Sequence, residues 1–324
     1  MCSKLVSVNL LELLRSKQPI LIQAPLAGVS AAPFRELIWQ FGGPAYCVTE
    51  MISAKTLLAH ASKRFLYKAP NEGPLCFQLS GSDPDELKQA AIIARKAGAN
   101  LIDLNCGCPV TKIRKKGAGS KLLSESQKLY DIIKAIKSEV NIPLSLKIRV
   151  DGISGDAFNQ DVVKIINDAG ADFMIVHGRH WTERYDVPAR LDEIAMIKAA
   201  SSIPVIGNGD VRDYDSLKKM LATGVDGAMI GRASVGRPWI FQELLAAMRG
   251  EVYALPSIAK MGALFLKHIE GLRDLENEKL AVLQARSLSK YYLRAAGVAP
   301  EVHRQFIGII AWAELEKLVF HIFV

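Results

Sequence analysis

The sequence predicts an α/β fold: a (β/α)8 barrel followed by a small all-helical region. Three features carry that expectation. Short apolar runs alternate with amphipathic stretches from residue 20 to about 250, the pattern of parallel strands joined by right-handed helical crossovers. Three amphipathic stretches end in one device, Ala97-Gly98-Ala99-Asn100, Ala169-Gly170-Ala171-Asp172 and Thr223-Gly224-Val225-Asp226, each leading straight into an apolar run. Glycine there suits the left-handed residue that closes a helix. After about residue 252 the strand signal stops, and apolar residues recur at three- and four-residue steps. Such stripes need helical neighbours to cover them. The expected units are therefore 1–252, the barrel, and 253–324, the helical domain.

Taken in order, the expected strands are Ile20–Gln23, Tyr46–Thr49, Leu75–Leu79, Leu101–Leu104, Leu144–Ile148, Phe173–Val176, Val205–Gly207 and Gly227–Ile230. The helices between and after them are Pro33–Phe41, Ala54–His60, Pro84–Ala97, Ser126–Val140, Ala157–Ala169, Leu191–Ala200, Asp213–Ala222 and Pro238–Arg249. Two strands follow an Ile-Pro step, at Pro143 and Pro204, and proline is tolerated where a strand begins. Eight such units in about 230 residues match the size of a TIM barrel. The alternative, an open doubly wound sheet, calls for GxGxxG after the first strand; that position reads Ala24-Pro25-Leu26-Ala27-Gly28-Val29. Beyond the barrel, helices are expected at Ala254–Arg273, Glu276–Ala296 and Glu301–Phe323, punctuated by Pro256, Gly297 and Pro300.

Composition narrows the setting. With 41 basic and 33 acidic residues the net charge is +8, which favours an anionic partner. The five cysteines, Cys2, Cys47, Cys76, Cys106 and Cys108, are odd in number and lack disulfide-framework spacing, as in a reduced, cytoplasmic protein. No CxxC pair occurs, so no metal site is expected. No run reaches the ~20 apolar residues of a membrane span, and polar residues break the apolar run of residues 5–14, unlike a signal peptide.

A barrel carries its chemistry at the C-terminal ends of its strands. Those positions hold Pro25, Leu26, Ala27 and Gly28; Glu50; Gln78; Asn105 and Cys108; Lys147 and Arg149; His177, Gly178 and Arg179; Asn208, Gly209 and Asp210; Gly231 and Arg232. The stretch Leu101–Ser120 is the densest. A strand runs into Asn105-Cys106-Gly107-Cys108-Pro109, and the cations Lys112, Arg114, Lys115 and Lys116 follow. One reading is a thiol at work beside a polyanion; the other is two buried small thiols followed by a solvated loop. Lys147 reads either as a lysine snorkelling to the rim or as a cation held against an electron-rich ligand. Gly207-Asn208-Gly209-Asp210 and Gly231-Arg232 follow strands seven and eight, the usual phosphate corner of such barrels. A phosphate corner, a lysine, a glutamine and a cysteine around one mouth suit flavin mononucleotide, FMN. Lys147 would then balance negative charge on the reduced ring, and Gln78 would bond its pyrimidine edge.

At these residues the sequence resembles the tRNA-dihydrouridine synthase family. The resemblance rests on motifs in order: Ala24-Pro25-Leu26-Ala27-Gly28-Val29, Asn105-Cys106-Gly107-Cys108-Pro109, Lys116-Gly117-Ala118-Gly119-Ser120, Lys147-Ile148-Arg149, His177-Gly178-Arg179, Asn208-Gly209-Asp210 and Gly231-Arg232. It departs at Leu26, where methionine is common, a volume-conserving swap. It implies reduction of uridines in tRNA to 5,6-dihydrouridine, with NADPH as reductant and a helical domain that helps hold tRNA. It implies FMN contacts at Pro25, Leu26, Ala27, Gln78, Lys147, Asn208, Gly209, Asp210, Gly231 and Arg232, with His177 near flavin and substrate. Cys108 is implied as the catalytic acid, and Cys106 takes no catalytic role. A thiol suits that task because its reference pKa of about 8.5 leaves it protonated at neutral pH. Asn105 and Arg149 are expected near the base. Arg179 and the loop Lys112, Arg114, Lys115 and Lys116 are expected to grip flanking phosphates. A monomer is expected. The rivals are an FMN barrel acting on a free pyrimidine, such as a dihydroorotate dehydrogenase, and a non-catalytic RNA-binding barrel.

Overall fold

The structure is a computed structural model that describes residues 10–15, 18–60, 62–152 and 157–324. Cys2 lies outside the described residues. Nine strands form one sheet among them: β1 (Ile20–Gln23), β2 (Cys47–Val48), β3 (Ile52–Ser53), β4 (Leu75–Ser80), β5 (Leu101–Cys106), β6 (Leu144–Arg149), β7 (Phe173–His177), β8 (Val205–Asn208) and β9 (Gly227–Ile230). All pairs are parallel, in the order β1-β9-β8-β7-β6-β5-β4-β2, with the two-residue β3 beside β4. The Ala45 N–H donates to the Leu21 carbonyl at 2.8 Å and the Gln23 N–H to the Tyr46 carbonyl at 3.3 Å. These bonds bring the sheet's two ends together, and the fold is a (β/α)8 TIM barrel with helices appended.

The repeated glycine device has a structural purpose. Gly98, Gly170 and Gly224 all adopt positive φ, which glycine permits without a Cβ clash. The chain then turns so that Asn100, Asp172 and Asp226 accept from the first N–H of the neighbouring strand, at Leu75, Leu144 and Val205. Lys68, Lys137 and Lys198 bond the same three side chains. Strand N–H groups that would otherwise be orphaned at the barrel's lower rim are thereby satisfied.

Side chains alternate across each strand, and this sorts the site from the scaffold. On β5, Ile102, Leu104 and Cys106 face the helices, in one apolar core with Leu144, Leu146, Ile148, Met174 and Val176. The opposite parity fills the lumen with Ile20, Ile22, Tyr46, Val48, Cys76, Leu101, Phe173, Ile175, Ile206 and Met229. Leu14, on the short helix Leu10–Arg15, packs into that cluster. Gln78, Asp103, Asn105, Lys147, Arg149, His177 and Asn208 continue the lumen-facing parity toward the strands' C-terminal ends.

The barrel helices are Ala32–Phe41, Ala54–Ala59, Pro84–Lys96, Ser126–Glu139, Ala157–Ala169, Leu191–Ala200, Tyr214–Leu221 and Ile240–Met248. After them, Ile258–Leu275 starts at a Ser257 cap and Glu278–Ala295 at an Asn277 cap, each later than the apolar pattern suggests. The expected helix Glu301–Phe323 is broken into His303–Ile307 and Trp312–Phe323. The break has a tertiary cause: Ile309 is buried, and its carbonyl leaves the helical path to accept from Arg286 Nε at 2.9 Å. The appended helices share the barrel's apolar core. Gly271 faces the Pro33 ring, where a Cβ would come within 2.7 Å, and Gly236 lies against the backbone of Tyr291, where a Cβ would come within 2.6 Å.

Candidate active site at the barrel mouth

A cavity of about 750 Å³ opens at the C-terminal ends of the strands. It is lined by all the expected cofactor residues: Pro25, Leu26, Ala27, Gln78, Lys147, His177, Asn208, Gly209, Asp210, Gly231 and Arg232. Asn105, Cys108, Arg149 and Arg179 line it too. The loop Lys112–Lys116 does not. Lys112, Lys115 and Lys116 are exposed outside the cavity, whereas Arg114 turns in, bonds Ser120 Oγ at 2.7 Å and lies 3.4 Å over the Trp181 ring.

Strand register stacks the polar side chains in layers. Gln78, Asp103 and Ser145 are register neighbours across β4, β5 and β6. Asn105 and Lys147 pair one layer up, and Arg149, His177 and Asn208 above them. The lower layers are tightly bonded. Ser145 Oγ donates to Asp103 at 2.6 Å, Gln78 Nε2 donates to Asp103 at 2.8 Å, and Asn105 Nδ2 donates to Gln78 Oε1 at 2.9 Å. Asn105 Oδ1 then accepts from the Cys108 N–H at 2.9 Å. Burial pushes the Asp103 carboxyl up, against its two hydrogen bonds and the charge of Lys147.

Lys147 is different. Among the described residues its ammonium donates no hydrogen bond, although burial and the nearby Arg149 push its pKa down. A cation left so is expensive unless something else meets it. His177 accepts from Arg179 Nη1 at 3.2 Å through Nε2; a guanidinium only donates, so the neutral ring carries its proton on Nδ1. Burial and the cations Lys147, Arg149, Arg179 and Arg232 hold His177 far below the usual histidine range, and it stays neutral.

Arg179 is heavily bonded within the protein. Its side chain is 1% exposed and its guanidinium grips both oxygens of Asp210, at 2.7 and 2.6 Å, as well as the Val187 carbonyl. These bonds hold the loops after β7 and β8 together. Asp210 meets that grip with φ at 54°, the one positive value among described non-glycine residues. Arg232 is the freer cation, 44% exposed, 3.3 Å from Asp210 and 4.0 Å over the Tyr185 ring.

Sequence reasoning missed several lining residues: Met51, Tyr185, Arg212, Lys290, Tyr291 and Arg294. Tyr185 is 58% exposed and stacked on His177, with centroids 6.4 Å apart. An aromatic set among Arg184, Arg190 and Arg179 was the available signal. Lys290, Tyr291 and Arg294 come from the helix Glu278–Ala295, so the appended helices build one wall of the cavity.

The family model described as dihydrouridine synthase matches residues 22–317. The chain belongs to the dihydrouridine synthase family. Its curated relatives include a protein named tRNA-dihydrouridine synthase B from Pseudomonas putida, 36% identical over 291 residues, covering 88% of this chain and 86% of that one. A protein of the same name from Vibrio vulnificus is 36% identical over 303 residues, covering 92% of this chain and 94% of its own. Among solved structures, histamine dehydrogenase from Rhizobium sp. 4-9 superposes with a TM-score of 0.54 at 14% identity, over 77% of this chain and 48% of that one. That likeness is one of fold. Among the described residues of this family member, no helix is long and apolar enough to cross a membrane.

Proposed function

We propose that this chain reduces uridines of tRNA to 5,6-dihydrouridine, with FMN in the barrel-mouth cavity, NADPH as external reductant and Cys108 as the proton donor. The observation that carries the reading is Lys147, a half-buried ammonium that donates no hydrogen bond to the described residues, lining one cavity with the Gln78 amide and the Cys108 thiol. That donor set fits a flavin: an amide for the ring's polar edge, a cation for its electron-rich part, and Arg232 with the Gly209 and Gly231 backbone for a phosphate. The cavity's 750 Å³ lies within the usual range of cofactor sites.

When bound and reduced, FMN supplies the hydride that is added at C6 of uracil. Cys108 gives its thiol proton to C5, where negative charge develops as the C5–C6 double bond is lost, and solvent returns a proton to the sulfur. His177, held neutral, donates through Nδ1 without adding a cation to a mouth already carrying Lys147 and Arg149. Tyr185 offers a stacking surface for a base drawn out of the folded RNA. The unit 253–324 engages the tRNA, aided by Lys290 and Arg294 on the cavity wall and by the exposed Lys112, Lys115 and Lys116. Cys108→Ala tests the assignment: the variant should retain yellow flavin and oxidise NADPH yet form no dihydrouridine. Full turnover by Cys108→Ala would remove the thiol from the mechanism.

A further inference from the structure

We propose that Asp103, which lies beneath the cavity and does not line it, is the positioning residue that sets where the Cys108 thiol sits. It acts through a one-way chain of side-chain amides. The Asp103 carboxyl is 1% exposed, and its two oxygens bond Ser145 Oγ and Gln78 Nε2. Because the Asp103 Oδ2 turned toward Gln78 accepts, with or without a proton on the oxygen at Ser145, the Gln78 amide turns its NH2 group downward. Its Oε1 then faces up and can only accept, so Asn105 must present Nδ2 to it, at 2.9 Å. That leaves Asn105 Oδ1 facing the loop, where it accepts from the N–H of Gly107 at 3.2 Å and of Cys108 at 2.9 Å. The sense of every link follows from the acceptor at the bottom. Were either amide flipped, like groups would face each other in a buried site, and the loop would lose its anchor. No other side chain among the described residues bonds the Cys108 N–H; its carbonyl is tied separately to Ser120.

This assignment rests on the reading of Cys108 as proton donor, since its purpose is to hold that thiol at one depth. The anchoring itself can be read without flavin or tRNA. The test is amide hydrogen exchange at Gly107 and Cys108 in the flavin-free full chain, comparing wild type, Asp103→Leu, Asp103→Asn and Ser145→Ala. Asp103→Leu removes the acceptor at similar size, and exchange at Cys108 should quicken by about three- to tenfold, the worth of one net hydrogen bond. Asp103→Asn can still accept from Gln78 while its NH2 group turns to Ser145 Oγ, and it should keep wild-type protection. Ser145→Ala leaves the Asp103–Gln78 link intact and should also keep it. If Asp103→Leu does not fold, Gln78→Met breaks the middle link and should give the same faster exchange. In the loaded enzyme, Asp103→Leu should lower kcat for tRNA by roughly tenfold or more, the cost of a small misplacement, with KM for tRNA unchanged. Wild-type exchange at Cys108 in folded Asp103→Leu or Gln78→Met would overturn the inference, as would Asp103→Asn exchanging as fast as Asp103→Leu. A wild-type protein that made no dihydrouridine would instead refute the proposed function and leave the exchange result to judge the chain.

Discussion

Lys147→Met should move stability and cofactor affinity in opposite directions. In the flavin-free protein the Lys147 ammonium is desolvated, lies near Arg149 and donates no hydrogen bond to the described residues. Methionine keeps the unbranched length and removes the charge. Keeping that ammonium charged in the fold costs about 3 kcal/mol, from a folded pKa of about 8 against about 10.4 unfolded; methionine removes this cost, in which the attraction to Asp103 is already counted. The urea midpoint of the flavin-free variant should therefore rise. The pH dependence carries its own sign. Lys147 has a folded pKa of about 8, below its unfolded one, so the unfolded chain holds the extra proton between the two values. Wild type should then gain stability as pH rises through that window toward about 10, and the variant should lack that gain. FMN affinity should fall, since a charge-assisted hydrogen bond is worth about 1.5–3 kcal/mol, or roughly 10- to 150-fold in Kd. Urea melts on either side of the window, near neutrality and near the unfolded pKa, together with a fluorescence titration of FMN, measure both. A variant less stable than wild type that binds FMN equally well would refute the assignment of Lys147.

Three further outcomes are expected. Glu72→Gln strands Arg35, whose guanidinium is 1% exposed and bonds Glu72 at 2.7 and 2.9 Å and the Ser30 carbonyl at 2.7 Å. It should cost about 3–5 kcal/mol in a denaturant melt, and a loss under about 1 kcal/mol would contradict a buried pair. His268 is buried against Phe34 with Nδ1 3.0 Å from Tyr292 Oη, and burial brings its folded pKa down to about 3. Stability should thus fall as pH drops below about 6.5, by about 2 kcal/mol at about pH 5, and His268→Phe should flatten that slope. Replacing Lys115 and Lys116 by alanine should weaken tRNA binding and shallow its salt dependence by about one to two in log–log slope; an unchanged slope would make the loop a bystander.

Much of this was legible in the residues because barrels obey short-range rules. A period of two along each strand put Gln78, Asn105, Lys147, His177 and Asn208 on one side and Cys106 on the other. The Gly98, Gly170 and Gly224 turns announced where strands begin. Less legible was anything decided between distant segments. The bonds from Arg179 to Asp210, far along the chain, had no local signal. The helix break before Trp312 depends on Arg286 claiming a carbonyl. Lys290, Tyr291 and Arg294 reach the cavity only because Gly236 lets the helix Glu278–Ala295 settle against the loop after β9. No local pattern encodes that approach.

Mass spectrometry of tRNA decides whether this barrel mouth reduces uridine. An unmodified tRNA would be incubated with the full chain, FMN and NADPH, digested, and its uridines weighed. Uridine should gain two hydrogens at defined positions with the wild-type protein and not with Cys108→Ala. Bound, reducible flavin with no uridine changed would contradict the proposed reaction.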